Sequence, residues 1–215
     1  MKQPITLEEQ VDQEGECLGY GEITKQGVER MIELINKGLF SDSSFKAPIE
    51  FDQSPYRLDT SSLFMDIGAG SGKVVMHVAL RIQCLSIGIE VCEHRVKVSR
   101  RFKARLLIHA GAPLSWSKLV ELHHVNALSV SSYQHNGKDV SHIYMFDKVF
   151  NDDLLEGIVH RLNNTSFQVL VSSQSPSRLA KFGLTQVVAA ASFKASMGRS
   201  KYKMFIYVKL PTVDA

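Results

Sequence analysis

Apolar residues along the chain fall into short runs that alternate with longer periodic stretches, and this alternation sets the expected fold. Between Ile23 and Lys37, "ITKQGVERMIELINK" places Val28, Met31, Ile32 and Ile35 at helical spacing, with Gly38 just past the last turn as a C-cap. The stretch "SDSSFKAPIEFDQSPYRLDTSS" has two prolines, many serines and no sustained period, so it reads as a long surface connection. After it come "LFMDI" (Leu63 to Ile67) as a buried strand, "KVVMHVALRI" as a helix, and "LSIGIE" as a second strand ending at Glu90. "EHRVKVSRRFKARLLIHAG" is then a basic helix, with Val98, Phe102, Leu106 and Ile108 expected along its inner side.

"LVELHHV", "HIYMFD" and "FQVLVSS" are three further strand candidates, separated by helical pieces. The clearest piece is "NDDLLEGIVHRLNN", where Asn151 can cap and Asp152 and Asp153 suit the positive end of the helix dipole. The order of strand and helix predicts βαβ units and a largely parallel sheet. The end of the chain differs: "LTQVVAAASF" and "YKMFIYVKL" flank a polar, basic loop "KASMGRSK" with no helix between them, which predicts an antiparallel pair. The expected fold class is therefore α/β. It is a Rossmann-like, mostly parallel sheet closed by an antiparallel hairpin and preceded by a short N-terminal helical segment, the arrangement of class I methyltransferases. Residues 1–60 form the N-terminal loop and helix over the site, and residues 61–215 form the catalytic domain.

Composition narrows the class without naming a chemistry. The chain has 215 residues, enough for one domain, and is 44% hydrophobic and 22% charged, as folded proteins are. It has no eighteen-residue apolar stretch, and "MKQPITLEEQ" lacks the apolar core of a secretory signal, so no membrane association and an intracellular setting are expected. Cys17, Cys84 and Cys92 are three in number without metal-ligand spacing and are read as reduced thiols, with no metal site. The net charge of +3 is too mild to announce nucleic acid by itself.

The candidate chemistry lies in "MDIGAGSGK". Gly68, Gly70 and Gly72 follow a strand and open a helix, so the backbone can bend tightly and approach a ligand. Glu90 ends the next strand about twenty residues on, where a carboxylate can accept hydrogen bonds from both ribose hydroxyls. Asp66 is the discriminating residue, because a carboxylate beside the turn repels a pyrophosphate but suits a cationic amine. The pattern therefore points to S-adenosylmethionine rather than a dinucleotide. Asn126, after the third strand, is either an adenine contact or the start of an Asx turn.

These residues resemble those of the Dot-one-like (disruptor of telomeric silencing) histone lysine methyltransferases. The likeness runs through "YGEITKQGVERMIELI", "FMDIGAGSGKVVMHVA", "GIEVCE", "VLVSSQSP" and "FKASMGRSKYKMFIYVKL". It implies that Tyr20 and Glu22 belong to a loop closing over the cofactor; Ile23 stands where the family has threonine, with Thr24, a further cofactor-binding candidate, adjacent. It also implies that Asp66, Gly68, Gly70 and Lys73 line the methionine end, Glu90 holds ribose and Asn126 meets adenine. By the same resemblance the substrate is histone H3 in nucleosomes and the location is the nucleus. The family's Asn-Asn-Phe signature is replaced here by Asp147-Lys148-Val149, and its adenine-stacking aromatic by Ala127.

For the transfer step, Asp147 at the end of "HIYMFD" and Tyr20 are the catalytic candidates, and Tyr20, Phe150 and Phe193 are aromatics that could desolvate an amine. Lys194, Arg199, Lys201 and Lys203 could touch DNA or an acidic surface. Two other readings stand beside this one. An RNA or small-molecule methyltransferase gains from the missing Asn-Asn-Phe, although the chain has no Asn-Pro-Pro-Tyr-type or Pro-Cys sequence at the fourth strand. A non-catalytic scaffold of the same fold gains from Ala127, Lys73 and Val149.

Overall fold

The structure, a computed structural model, describes residues 23–48, 51–109, 111, 113–197 and 200–210. The helices are α1 (Lys25–Lys37), α2 (Lys73–Ile82), α3 (Glu93–His109), α4 (Leu114–Ser117), α5 (Asp152–Asn163) and α6 (Pro176–Lys181). The strands are β1 (Leu63–Ile67), β2 (Leu85–Glu90), β3 (Val120–His124), β4 (Gln134–His135), β5 (Lys138–Asp139), β6 (His142–Met145), β7 (Val169–Ser172), β8 (Val187–Met197) and β9 (Ser200–Lys209). Seven of them make one sheet in the order β3-β2-β1-β6-β7-β9-β8. β1, β2, β3, β6 and β7 run parallel, whereas β9 is antiparallel to both its neighbours, so the expected closing hairpin is present.

Burial on both faces explains the continuous apolar runs, since all five residues of β1 are buried. One face is covered by α1 and α2 through Val28, Met31, Ile35, Val74 and Val78. The other is covered by α5 and α6 through Leu155, Ile158, Leu162 and Leu179. The strand order reverses between β1 and β6, and a crevice beyond the carboxyl ends of two such strands is where α/β sheets take ligands.

Local chemistry starts and stops the helices much as the pattern predicts. Thr24 caps α1, its hydroxyl accepting from the Gly27 N–H at 3.3 Å, and the Gly38 N–H closes the far end on the Leu34 carbonyl at 2.8 Å. Asn151 caps α5, accepting from the Leu154 N–H at 2.9 Å. The small β4–β5 hairpin was not among the expected strands, although its turn, Asn136-Gly137 with both φ angles positive, carries the sequence of a type I′ turn.

Three expectations are corrected. The inner side of α3 is Val96 and Ser99, with Val98 and Leu106 half-buried, whereas Phe102 is 39% and Ile108 73% exposed. Arg100 and Lys103 instead turn their head groups to edge strand β3, donating to the Leu122 and Val120 carbonyls at 2.9 and 2.7 Å. The serine- and proline-rich connection is also not purely superficial. Its Ser54–Tyr56 turn leads to Tyr56 and Leu58, buried in the core that α1 shares, and Asn36 pairs with both backbone groups of Leu58 at 3.1 and 2.8 Å. This connection and α1 are thereby built into the sheet's own core. Finally, "KASMGRSK" is mostly strand: Lys194 stands opposite Lys203 and Ser196 opposite Lys201. β8 and β9 thus run on past Ser172, the last residue of β7 paired with β9, as a two-stranded ribbon beyond the carboxyl edge.

His142 ties the connection to the sheet and makes stability depend on pH. Its Nε2–H donates to the Tyr56 carbonyl at 3.0 Å and its Nδ1 lies 2.9 Å from Ser141 Oγ. Burial pushes this imidazole down to about 4. The unfolded chain therefore takes the proton first, and stability is lost as pH falls from the unfolded value of about 6.5 toward 4, by about 3 kcal/mol in all. Urea unfolding of the wild type and His142→Gln at pH 7 and pH 4.5 is expected to show this loss only in the wild type, beyond the acid sensitivity common to both.

Candidate active site

The site forms where β1 turns into α2. Gly68, Gly70 and Gly72 all have positive φ, at 79°, 53° and 76°, which side-chain-bearing residues rarely adopt. A Cβ at Gly72 would also stand 2.9 Å from Leu122 Cδ2 and 3.1 Å from Ser99 Cβ, so close packing reinforces the requirement. The Gly68 and Ala69 N–H groups both donate to the Ile89 carbonyl, at 2.9 and 3.0 Å, which pulls the loop over the end of β2. Phe150 closes the other side, with its Cζ 3.4 Å from where a Gly68 Cβ would be.

Glu90, buried at the end of β2, holds this arrangement together. Its two carboxylate oxygens accept from the Gly70 and Cys92 N–H groups, each at 2.9 Å, and the Arg95 guanidinium lies 4.0 Å away. A carboxylate has about four lone-pair positions, so further acceptor capacity remains for a ribose diol.

Asp66 is of another kind. It is 2% exposed, and its Oδ1 has no hydrogen-bond partner. Burial, and secondly the charge of Glu90, holds its carboxyl well above the usual carboxylate range. A buried acceptor without a donor is costly, and a cationic amine supplies both the donor and the compensating charge.

The remaining candidates divide. Thr24 is the α1 cap, and its N–H donates to the Ser196 carbonyl of β8 at 3.0 Å. Lys73 opens α2 with its ammonium 6.0 Å from the ring centre of Phe102, on the α3 side. Asn126 is exposed and makes the Asx turn, its Oδ1 accepting from the Leu128 N–H at 2.8 Å, which leaves its amide N–H groups for an adenine ring. Asp147 is fully buried and accepts from Ser172 Oγ, Ser173 N and Ser173 Oγ at 2.6, 2.8 and 2.6 Å. Burial raises its carboxyl while those serines pull it back. With Gln174 donating to the Asp147 carbonyl at 2.7 Å, the residue braces the end of β6 against β7. Phe193 belongs to the core under α1. Tyr20, Glu22 and Arg199 lie outside the described residues.

Two aromatics at the mouth were missed. Phe146 follows β6 and meets Tyr202 of β9 edge to face, their centres 5.3 Å apart. The signal is present in the sequence: alternation in "HIYMFD" puts Tyr144 and Phe146 on one face. Lys194, Lys201 and Lys203 are exposed on the ribbon that projects from this same edge.

Residues 53–112 match the family model described as "Histone methylation protein DOT1". The chain has the class I methyltransferase fold. Among solved structures it is similar to magnesium protoporphyrin IX methyltransferase (ChlM) from Synechocystis PCC 6803 with bound SAM, at 13% identity and a TM-score of 0.58, covering 89% of this chain and 87% of that one. It is also similar to an RNA methyltransferase from Salinibacter ruber in complex with S-adenosyl-L-homocysteine, at 14% identity and a TM-score of 0.54, covering 89% and 97%. TrmK from M. capricolum, again in complex with S-adenosyl-homocysteine, gives 9% identity and a TM-score of 0.54 over 87% and 70%. No curated protein matches the sequence. The matched stretch contains Asp66, the glycine turn and Glu90, and those residues fit S-adenosylmethionine, the cofactor of the class I methyltransferase fold. Among the described residues no helix is long and apolar enough to cross a membrane.

Proposed function

We propose that this chain is an S-adenosylmethionine-dependent protein lysine methyltransferase whose substrate is histone H3 in nucleosomes, acting in the nucleus. The observation that carries the reading is that the DOT1-matched residues 53–112 include the glycine turn, Glu90 and Asp66, whose buried Oδ1 has no partner. In this reading Asp66 takes the ammonium of the methionine end, Glu90 the ribose hydroxyls and Asn126 the adenine, and Tyr20 and Glu22 are further cofactor-binding candidates.

When bound, the cofactor would supply an activated methyl group for an acceptor nitrogen. The protein's part is orientation, which can be worth about 7–11 kcal/mol, and delivery of a neutral amine. Phe146 and Tyr202 at the mouth disfavour a charged ammonium by desolvation. Asp147 acts on this step indirectly, by holding the segment that carries Phe146 and Phe150. Lys194, Lys201 and Lys203 offer a basic ribbon to DNA or to an acidic protein surface.

Incubation with methyl-labelled S-adenosylmethionine and, in parallel, nucleosomes, free histones and RNA tests the assignment. Label on a histone H3 lysine is the expected result. Label in RNA alone would replace this reading with the RNA methyltransferase one.

A further inference from the structure

Asp66 is not alone at the point where the strand order reverses. Its register partner on β6 is Tyr144, also 2% exposed, and the Tyr144 hydroxyl likewise has no hydrogen-bond partner. Alternation along β1 puts Asp66 on the same face as Phe64, and Phe64 and Tyr144 both belong to the core beneath α1. Two unsatisfied groups therefore sit on neighbouring strands, on one face, at the ligand-taking edge of the sheet. The other buried side-chain atoms without partners among the described residues, Trp116 Nε1 and Asn163 Oδ1, lie apart from this edge, in α4 and at the end of α5.

The two groups are complementary. A carboxylate only accepts hydrogen bonds, and a phenol that stays protonated has an O–H to donate. Burial, and secondly the charges of Asp66 and Asp147, keeps the Tyr144 phenol well above its ordinary value, so it remains a donor at any physiological pH. The α-amino-acid end of S-adenosylmethionine presents the matching pair, an ammonium that donates and a carboxylate that accepts. Leaving either protein group unmade in the bound state would cost about 1–3 kcal/mol.

We propose that Tyr144 and Asp66 form a two-point clamp for the amino-acid end of the cofactor, Tyr144 Oη donating to its carboxylate while Asp66 accepts from its ammonium. The proposal rests on the cofactor reading above and adds to it a residue that neither the glycine motif nor the family resemblance supplies. The clamp spans β1 and β6, so binding the amino-acid end would fix the two strands whose carboxyl ends flank the crevice. It also distinguishes the whole cofactor from nucleosides that lack the amino-acid end.

Calorimetric titration of the wild type and Tyr144→Phe with two probes, S-adenosylhomocysteine and 5′-methylthioadenosine, separates the possibilities. The expected result is that Tyr144→Phe weakens S-adenosylhomocysteine about tenfold, a loss of about 1.4 kcal/mol, and leaves 5′-methylthioadenosine unchanged. Phenylalanine keeps the ring and removes only the orphaned hydroxyl, so the ligand-free melting temperature should hold or rise. An unchanged affinity for S-adenosylhomocysteine, or an equal loss for both probes, would overturn the clamp. A folded wild type that binds neither probe would overturn the cofactor reading on which the clamp depends.

Discussion

Replacing Glu90 with alanine is expected to weaken S-adenosylhomocysteine binding at least tenfold, the largest loss of affinity from any single substitution in the site. Two effects add. The ribose diol loses its acceptor, and the Gly70 and Cys92 N–H groups lose the carboxylate that holds them at 2.9 Å. Hydrogen bonds to a charged group are worth about 1.5–3 kcal/mol each, so the glycine turn itself should loosen. Glu90→Gln keeps a carbonyl acceptor and should fall between the two. Calorimetry on all three proteins, with unfolding curves alongside, distinguishes a lost ligand contact from a loosened turn: Ala should lose stability as well as affinity, and Gln chiefly affinity.

Asp66→Asn should have the opposite effect on stability and a similar one on binding. The wild-type carboxyl is buried with its Oδ1 unpartnered, so its charge is a cost to the ligand-free protein. Removing that charge should stabilise the free chain by about 2 kcal/mol, or about 4–8 °C in Tm for a chain of this length. The sign with pH follows from the raised folded pKa. The folded state binds the proton more readily than the unfolded state does, so this group's penalty is absent below the unfolded carboxylate pKa of about 3.9 and grows as pH rises toward the folded one. Asp66→Asn should abolish that dependence, and it should also reduce the rise in Tm that S-adenosylhomocysteine gives the wild type. Thermal melts with and without ligand across pH 4 to 8 would show both effects. A less stable Asn variant would mean that Asp66 has a structural partner after all.

The architecture was legible because each element carried its own signal. β1, β2, β6 and β7 are apolar runs of four to six residues bounded by turns, and α1 and α5 carry capping residues that act where expected. α3 was misread because Arg100 and Lys103 look solvent-facing in sequence, yet their donors reach carbonyls on an edge strand that no local pattern reveals. The ribbon was misread as a loop because its lysines and small residues carry little strand propensity. What holds it is register with β9, a long-range property.

The site was legible on the glycine-turn side and less so on the β6 side. Asp66, the three glycines and Glu90 lie within one βαβ unit, so their spacing in the chain mirrors their spacing in the fold. Tyr144, Phe146 and Tyr202 reach the same crevice through strand order and face, which short-range patterns do not encode. Asp147 was chosen for standing at a strand end. Its side chain is turned instead to Ser172 and Ser173, on the face away from Asp66 and Tyr144.

The most direct measurement is a structure of the protein with S-adenosylhomocysteine bound. The ribose hydroxyls should lie on Glu90, the ammonium on Asp66 and the amino-acid carboxylate on Tyr144, with the sulfur facing the mouth beside the Phe146–Tyr202 pair. A ligand bound elsewhere on the fold, or in the crevice with Asp66 and Glu90 untouched, would contradict this placement.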